Sequence, residues 1–315
     1  MNSLKKFNEI KGNWATLILP INIDGSIDYG LLGTEIDVII SMGVDGIYSH
    51  GSAGEFYNIT EDEFDRCTDL LANKCQSANM NFQIGVSHMS PIISLERLQR
   101  IRYYKPSAVQ VILPDWFVPT LDESINFLKR MEEISDNLGM ILYNPPHAKK
   151  VWSLEDLAFM KKMIPSLIGV KVAGGNLEWY TKMTQLIAKD LSVFIPGHHL
   201  ATGIKNGAHG AYSNMACLNP KAAQKWYNLT QTDMESALAL EQRIQVFMST
   251  YIAPLIEKDN YSNMAMDKLL VQIGNWIDFK PKLRWPYKSV DSKLAEELRP
   301  HAKKIIPEFF VKINK

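Results

Sequence analysis

Eight short apolar runs, separated by segments long enough for a helix, constrain the fold of this chain more than any other feature of its sequence. They are rich in β-branched and other apolar residues, and they cover residues 15–19, 46–49, 82–86, 108–113, 140–143, 167–172, 193–195 and 210–213. The segments between them that carry helical polar–apolar patterning include 29–42, 61–74, 93–103, 121–135, 154–163 and 177–187. Strand–helix alternation of this kind is typical of a parallel sheet, because consecutive parallel strands need a crossover connection.

The number of strands favours a closed barrel over an open sheet. Eight strands within about 230 residues is the count of an α/β fold of the (β/α)8 or TIM-barrel type, which typically spans roughly 250 residues. A doubly wound sheet is the alternative, but no Gly-x-Gly-x-x-Gly sequence follows any of the predicted strands. We therefore predict a barrel over residues 1–230 that carries the active site.

The strand pattern stops after residue 220. Residues 222–229, 234–251, 264–273 and part of 293–311 are predicted to be helical instead. No low-complexity linker separates these segments from the barrel, so residues 231–315 are expected to form a helical segment packed on it.

Composition and charge argue against several classes of partner. The 315 residues include 34 Lys and Arg against 34 Asp and Glu, and this zero net charge gives no indication of nucleic-acid or anionic-membrane binding. No apolar run approaches the ~20 residues that span a bilayer, and the N-terminal residues lack the apolar core of a signal peptide. Three cysteines without a Cys-x-x-Cys pair fit a reducing compartment and offer no four-thiolate zinc site. The sequence thus predicts a cytoplasmic protein.

Lys171 is the first candidate for chemistry. Alternation along the predicted sixth strand places Ile168, Val170 and Val172 against the helices. The same alternation places Gly169 and Lys171 inside the barrel, where an ammonium has little water around it. Its pKa should then fall from ~10.4 to about 7–8, which makes a substantial fraction of the side chain a nucleophilic amine. The alternatives are that Lys171 pairs with a buried carboxylate or points outward at the strand end.

Two other strand ends carry polar candidates. Tyr143 ends the fifth strand, before a double proline, at the end of the barrel where barrel enzymes keep their sites, and a phenol there can carry protons. The alternative for Tyr143 is a packed core tyrosine with a satisfied hydroxyl. After the second strand, the Gly-Ser-Ala-Gly sequence around Ser52 allows a tight turn with exposed backbone N–H groups, which suit a carboxylate. This turn matches neither a P-loop nor an esterase Gly-x-Ser-x-Gly motif.

Together these elements resemble those of the pyruvate-dependent class I aldolases, the family that includes dihydrodipicolinate synthase and N-acetylneuraminate lyase. The resemblance covers nearly the whole chain, and its segments follow in order at residues 19–28, 43–63, 143–146, 169–171 and 207–213. It implies that Lys171 forms a Schiff base with a 2-oxo acid and that Tyr143 relays protons. It also implies that Ser52 and Ala53 hold the substrate carboxylate, and Tyr212 is placed among the substrate-binding residues. The resemblance implies no metal and no organic cofactor, and it implies a homotetramer built from tight dimers.

This chain departs from both named enzymes in the part of the pocket that binds the substrate's tail. Trp116 stands where dihydrodipicolinate synthase has a proton-relaying phenol, and Ala148 stands where it has an arginine. Ala173 stands where N-acetylneuraminate lyase has a threonine, and residues 197–200 (Gly-His-His-Leu) replace its Asp-Glu pair. Ala53 also replaces a hydroxyl residue that is usual in the carboxylate-binding turn.

His198 and His199 are the polar groups that this departure introduces. Because they are adjacent at a predicted strand end, their side chains are expected to point in opposite directions, so no metal site is expected. One of them, here taken as His199, is predicted to contact a polar or acidic substrate tail, the alternative being a packed or solvated histidine. Asn214 is a further candidate for the same contact.

The sequence therefore predicts a Schiff-base lyase that cleaves or forms a carbon–carbon bond of a pyruvate-type 2-oxo acid. A dehydratase of 2-oxo-3-deoxy sugar acids that uses the same imine stays open, as does a non-catalytic relative that binds an oxo acid. The mouth of the pocket is expected to be basic, with these residues gathered there: Lys171, His147, Lys149, Lys150, His198 and His199.

Overall fold

The computed structural model describes residues 6–310, and in these residues eight parallel strands close into a barrel. Each strand pairs with the next one along the chain, and the eighth pairs with the first. The (β/α)8 barrel predicted from the strand–helix alternation is thereby confirmed. The strands are β1 (Gly12–Thr16), β2 (Gly46–Ser49), β3 (Phe82–Gly85), β4 (Ala108–Ile112), β5 (Met140–Tyr143), β6 (Leu167–Lys171), β7 (Ser192–Pro196) and β8 (Gly210–Ser213).

Helices cover the outside of the barrel and continue after its last strand. Seven follow strands within the barrel: α1 (Tyr29–Ser41), α2 (Glu61–Ser77), α3 (Pro91–Ile101), α4 (Leu121–Ile134), α5 (Leu154–Met163), α6 (Leu177–Leu186) and α7 (Leu200–Lys205). The others are α8 (Asn214–Leu218), α9 (Pro220–Thr232), α10 (Met234–Phe247), α11 (Ala253–Glu257), α12 (Asn263–Gly274) and α13 (Ser292–Ile305). A single π-helical turn, Met248–Ile252, joins α10 to α11. Residues 1–5 and 311–315, at the ends of the two predicted segments, lie outside the described residues.

No helix in residues 6–310 combines the length and the apolar character that crossing a bilayer requires.

The first strand lies earlier in the chain than predicted. The apolar run at residues 15–19 suggests a strand there, whereas β1 covers Gly12–Thr16. Leu17, Ile18 and Leu19 are apolar because the segment that leaves the barrel is itself buried. The N–H of Leu17 still donates to the carbonyl of Tyr48 on β2, but the N–H of Ile18 donates to a carboxylate oxygen of buried Glu35, so the strand pairing ends there.

A bulge in β6 changes the direction of Ile168. The pairing of β5 with β6 shifts register, because Met140 lies opposite Leu167 while Ile141 lies opposite Gly169. Ile168 is the extra residue, and it packs with Trp14 in the cluster inside the barrel. The expectation that Ile168 faces the helices was therefore wrong, although Val170 does pack in the outer core.

A buried ion pair fixes helix α12 to the loop that follows β2. Lys268 Nζ lies 2.5 Å from Glu55 Oε1, and the two side chains are 0% and 1% exposed. The same Nζ donates to the carbonyl of Lys282, and the N–H of Arg284 donates to Glu55 Oε2. Both charges thus have further hydrogen bonds, which a buried pair needs to offset its desolvation.

Removing one member of this pair should destabilise the whole fold. We expect Lys268→Met to lower the free energy of unfolding by about 3–5 kcal/mol, because Glu55 is left as a buried charge without its partner. Urea denaturation followed by circular dichroism measures the change. Lys74→Met is the matched control, since Lys74 pairs with Asp37 at the surface (29% and 58% exposed) and should cost no more than about 1 kcal/mol. Equal losses in the two variants would contradict this role.

Candidate active site

A cavity of about 530 Å³ opens at the carboxyl ends of the barrel strands. This is the end at which (β/α)8 enzymes carry their sites, and the volume is in the range of small-molecule sites. Its wall is formed by strand ends of the barrel on one side and by α10, α12 and the π turn on the other. All of the residues predicted at the site line it: Lys171, Tyr143, Ser52, Ala53, Tyr212, His199 and Asn214.

Lys171, the last residue of β6, extends its amine among aromatic rings. Its Nζ lies 4.1 Å from the ring centroid of Tyr143 and 5.4 and 5.3 Å from those of Tyr48 and Tyr212. Within residues 6–310 this Nζ makes no hydrogen bond and no ion pair. Burial lowers the pKa of Lys171 to about 8, and the charge of Asp267 acts in the opposite direction. At pH 7 about 10% of the side chain is then a free amine.

Tyr143 keeps its proton at neutral pH. It ends β5, and the pairing of β5 with β6 places it directly opposite Lys171. Burial raises the pKa of its phenol to about 12, while the nearby hydroxyl of Ser52 opposes this shift. A protonated phenol beside an amine is a proton donor when a carbonyl or an imine forms at that amine.

The turn at residues 50–55 presents two free backbone N–H groups. His50 and Glu55 have positive φ values of 53° and 49°, and the turn is closed by bonds from Gly54 N and Glu55 N to the carbonyls of Gly51 and Ser52. In the described part of the chain, no hydrogen bond uses the N–H of Ser52 or Ala53. Adjacent free N–H groups of this kind form a concave site for a carboxylate.

Tyr212 is anchored inside the barrel. It lies on β8, is buried, and its hydroxyl donates to Oε1 of Gln83 on β3. Burial raises its pKa well above the ordinary value of a tyrosine. The ring therefore forms the floor of the cavity beneath Lys171, with its hydroxyl held by the barrel.

His198 and His199 point into the same cavity, which corrects the expectation that they diverge. They lie in a 3₁₀ turn, Gly197–His199, and not in a strand, and their ring centroids are 4.4 Å apart. His198 Nδ1 contacts Asn214, and His199 Nδ1 contacts the amide of Gln245. Burial, together with the neighbouring His199, lowers the pKa of His198 to about 4. Over residues 6–310 no three His, Cys, Asp or Glu side chains are grouped as metal ligands would be.

The mouth of the cavity is less basic than the sequence suggests. Lys149 donates to the carbonyl of Trp116, and Lys150 stacks on Trp152 with 3.7 Å between its Nζ and the ring centroid. Neither lysine lines the cavity. His147 does line the cavity, and its pKa is lowered mainly by burial and also by the charge of Lys171.

Asp267 is the chief residue of the site that the sequence did not reveal. It lies on α12, lines the cavity, and is half-buried. Burial raises the pKa of its carboxyl to about 7, and the charge of Lys171 acts against this shift. Gln245 on α10 and Thr16 and Tyr48 on β1 and β2 also line the cavity without having been predicted. A charged residue on an amphipathic helix ordinarily faces solvent, so only the packing of α12 identifies Asp267.

The family comparison matches nearly the whole chain. Residues 9–305 match the model of the dihydrodipicolinate synthetase family. Among curated proteins, the 4-hydroxy-tetrahydrodipicolinate synthase of Ruthia magnifica subsp. Calyptogena magnifica is 27% identical over 236 residues, which are 72% of this chain and 77% of that protein. The enzyme of the same name from Bartonella bacilliformis is 24% identical over 249 residues, 78% of this chain and 84% of that protein.

Solved structures share the fold at lower sequence identity. YagE, a prophage protein of E. coli K12 solved in complex with pyruvate, superimposes with a TM-score of 0.82 at 17% identity, covering 94% of this chain and 98% of that one. N-acetylneuraminate lyase from Fusobacterium nucleatum gives a TM-score of 0.80 at 20% identity, covering 95% and 99%. Both share the architecture of this chain over nearly all of its length.

The protonation of His198 can be measured directly. We expect its ring signals in the NMR spectrum to stay at the neutral position from pH 8 down to about pH 5, because burial lowers its pKa to about 4. His198→Asn identifies the signals by their loss. Titration of this ring with a midpoint near that of a free histidine, ~6.5, would contradict the buried placement.

Proposed function

The chain belongs to the dihydrodipicolinate synthetase family, and from that premise we propose that it is a Schiff-base-forming lyase of the class I aldolase type. Its substrate in this proposal is a 2-oxo acid of the pyruvate type, in which it cleaves or forms a carbon–carbon bond. The observation that carries the proposal is the unpaired amine of Lys171, beside a protonated phenol and near a turn with two free N–H groups.

The proposed reaction begins at the carbonyl carbon of the 2-oxo acid. Lys171 Nζ attacks this carbon, the carbonyl oxygen leaves as water after protonation, and a protonated imine results. The positive nitrogen accepts the electron pair released when the bond between C3 and C4 breaks, or stabilises the C3 carbanion that attacks an aldehyde. The free N–H groups of Ser52 and Ala53 hold the substrate carboxylate in place.

Tyr143 is assigned the proton transfers. Its phenol can protonate the departing oxygen during imine formation and accept a proton from the hydroxyl on C4 during cleavage. Its pKa of about 12 means that the proton is present at the start of the reaction. Neither metal nor organic cofactor enters this scheme, since the imine itself is the electron sink.

We also propose a homotetramer in a reducing compartment. An apolar loop supports the assembly, because Trp116, Phe117 and Val118 are 67%, 84% and 44% exposed in the single chain. The free and buried state of all three cysteines supports the compartment. Trp116 lies in this exposed loop and outside the cavity, and in this proposal it contributes to the contact between chains.

Reductive trapping tests the imine. Incubation with pyruvate and cyanoborohydride should add one reduced pyruvyl group to Lys171, located by peptide mass spectrometry. The trapping rate should rise about ninefold from pH 6 to 7 and about fivefold from pH 7 to 8 and then level off, because the amine is the reactive form and its pKa is about 8. Lys171→Arg should give no adduct, whereas Lys150→Arg should react as the wild type does. Absence of an adduct with pyruvate and several other 2-oxo acids would leave an oxo-acid-binding protein as the remaining reading.

Product analysis separates lyase from dehydratase. A lyase should release pyruvate from 4-hydroxy-2-oxo acids and from 3-deoxy-2-oxo sugar acids, detected by coupled reduction to lactate. A dehydratase should instead consume a 2-oxo-3-deoxy sugar acid without releasing pyruvate. Tyr143→Phe should slow turnover by roughly 10²–10⁴-fold in either case, since it removes the proton carrier. Release of water alone would contradict carbon–carbon bond cleavage.

A further inference from the structure

The carboxylate of Asp267 faces the cavity without a partner. Across residues 6–310 it makes no hydrogen bond and no ion pair, although it is half-buried on α12. Its neighbour Lys268 points away from the cavity, pairs with Glu55 and donates to the carbonyl of Lys282. A half-buried carboxylate that the protein leaves unsatisfied is available to a ligand.

The opposite wall supplies neutral donors. The amide nitrogen of Asn214 lies 2.9 Å from Nδ1 of His198, and that of Gln245 lies 3.2 Å from Nδ1 of His199. An amide nitrogen can only donate, so the contact from Gln245 leaves the hydrogen of neutral His199 on Nε2, whereas Nδ1 of His198 has both Nδ2 and Oδ1 of Asn214 within reach, at 2.9 and 3.2 Å. In the described structure no hydrogen bond uses Nε2 of either ring, so His199 can donate through Nε2 to a bound molecule and His198 can donate or accept there.

The charges that line the cavity therefore reduce to two, one on Lys171 and one on Asp267. Once Lys171 has formed the protonated imine, the substrate carboxylate already balances it at the turn around Ser52. Asp267 then adds one negative charge to a cavity of low dielectric constant, where a further anion is repelled. A hydroxyl, in contrast, donates to Asp267 and accepts from an imidazole.

We infer that Asp267 determines substrate specificity: it accepts a hydrogen bond from a hydroxyl on the substrate beyond C3 and excludes substrates with a second carboxylate there. The substrate class is thus a 2-oxo acid with a hydroxylated, uncharged tail. This rests on the proposed function, because it takes the imine at Lys171 as its starting point. The sequence predicted a polar or acidic substrate tail, and this inference retains the polar tail and excludes the acidic one.

Imine formation with chosen 2-oxo acids tests this inference without requiring turnover. The probes are pyruvate, 2-oxopentanoate, 2-oxoglutarate and 3-deoxy-2-oxogluconate, and the readout is the concentration that half-saturates the reduced adduct on Lys171 at pH 8. Each value is divided by that of pyruvate, so that a changed reactivity of the amine cancels. The variant is Asp267→Asn, and Asp259→Asn is the matched control, since it removes the same charge from an exposed site outside the cavity.

In the wild type we expect 3-deoxy-2-oxogluconate to saturate at a lower relative concentration than 2-oxopentanoate, and 2-oxoglutarate at a higher one. The relative half-saturating concentration of 2-oxoglutarate divided by that of 2-oxopentanoate should fall about tenfold or more in Asp267→Asn, and it should stay unchanged in Asp259→Asn. If this ratio does not change in Asp267→Asn while pyruvate is still trapped, the inference is overturned and the proposed function stands. Failure of the wild type to trap pyruvate would overturn both.

Discussion

The buried contact between Glu55 and Lys268 joins parts of the molecule that lie 213 residues apart along the chain. Glu55 ends the turn that contains the cavity-lining residues Ser52 and Ala53, and Lys268 lies on the helix that closes the cavity from the other side. Lys282 and Arg284 add backbone contacts to the same two charges. Because each charge depends on the other for its stabilisation in the interior, the contact fixes the position of the turn relative to helix α12. The turn and the helix are two walls of the cavity that Lys171 also lines, so the contact sets the distance between these walls.

Helix α12 carries two neighbouring charges with different tasks. Successive residues of a helix point about 100° apart, so Lys268 enters the protein interior while Asp267 enters the cavity. The first is neutralised by a protein partner, and the second is left to a ligand. A helix that only covered the barrel would need neither charge on its buried side.

Local pattern was sufficient for the barrel and for the groups at its strand ends. The alternation of β6 placed Lys171 inside, and the double proline after Tyr143 placed the phenol at the strand end, since both depend only on neighbouring residues. Local sequence pattern gave wrong predictions where the surroundings of a residue are formed by segments remote in sequence. Ile168 turned inward because of a bulge against β5, and residues 17–19 are apolar because of the layer over them. Asp267 lies in the cavity because α12 packs over the strand ends, and local sequence predicts this helix but not the way it packs. His198 lies there because a 3₁₀ turn stands where a strand end was expected.

The π turn at Met248–Ile252 places part of the cavity wall outside the barrel that carries Lys171 and Tyr143. Met248, Ser249 and Ile252 line the cavity from this turn, together with residues of α12. The groups proposed for imine formation are Tyr143 on β5, Lys171 on β6 and the turn that follows β2. A π turn contains one residue more than the regular helix, and its gain or loss rotates the following side chains without touching the barrel. Because Lys171 and Tyr143 lie on the barrel while Asp267 and the π turn lie in the C-terminal helices, substitutions in those helices can change which substrate tail is accepted without altering the groups that form the imine.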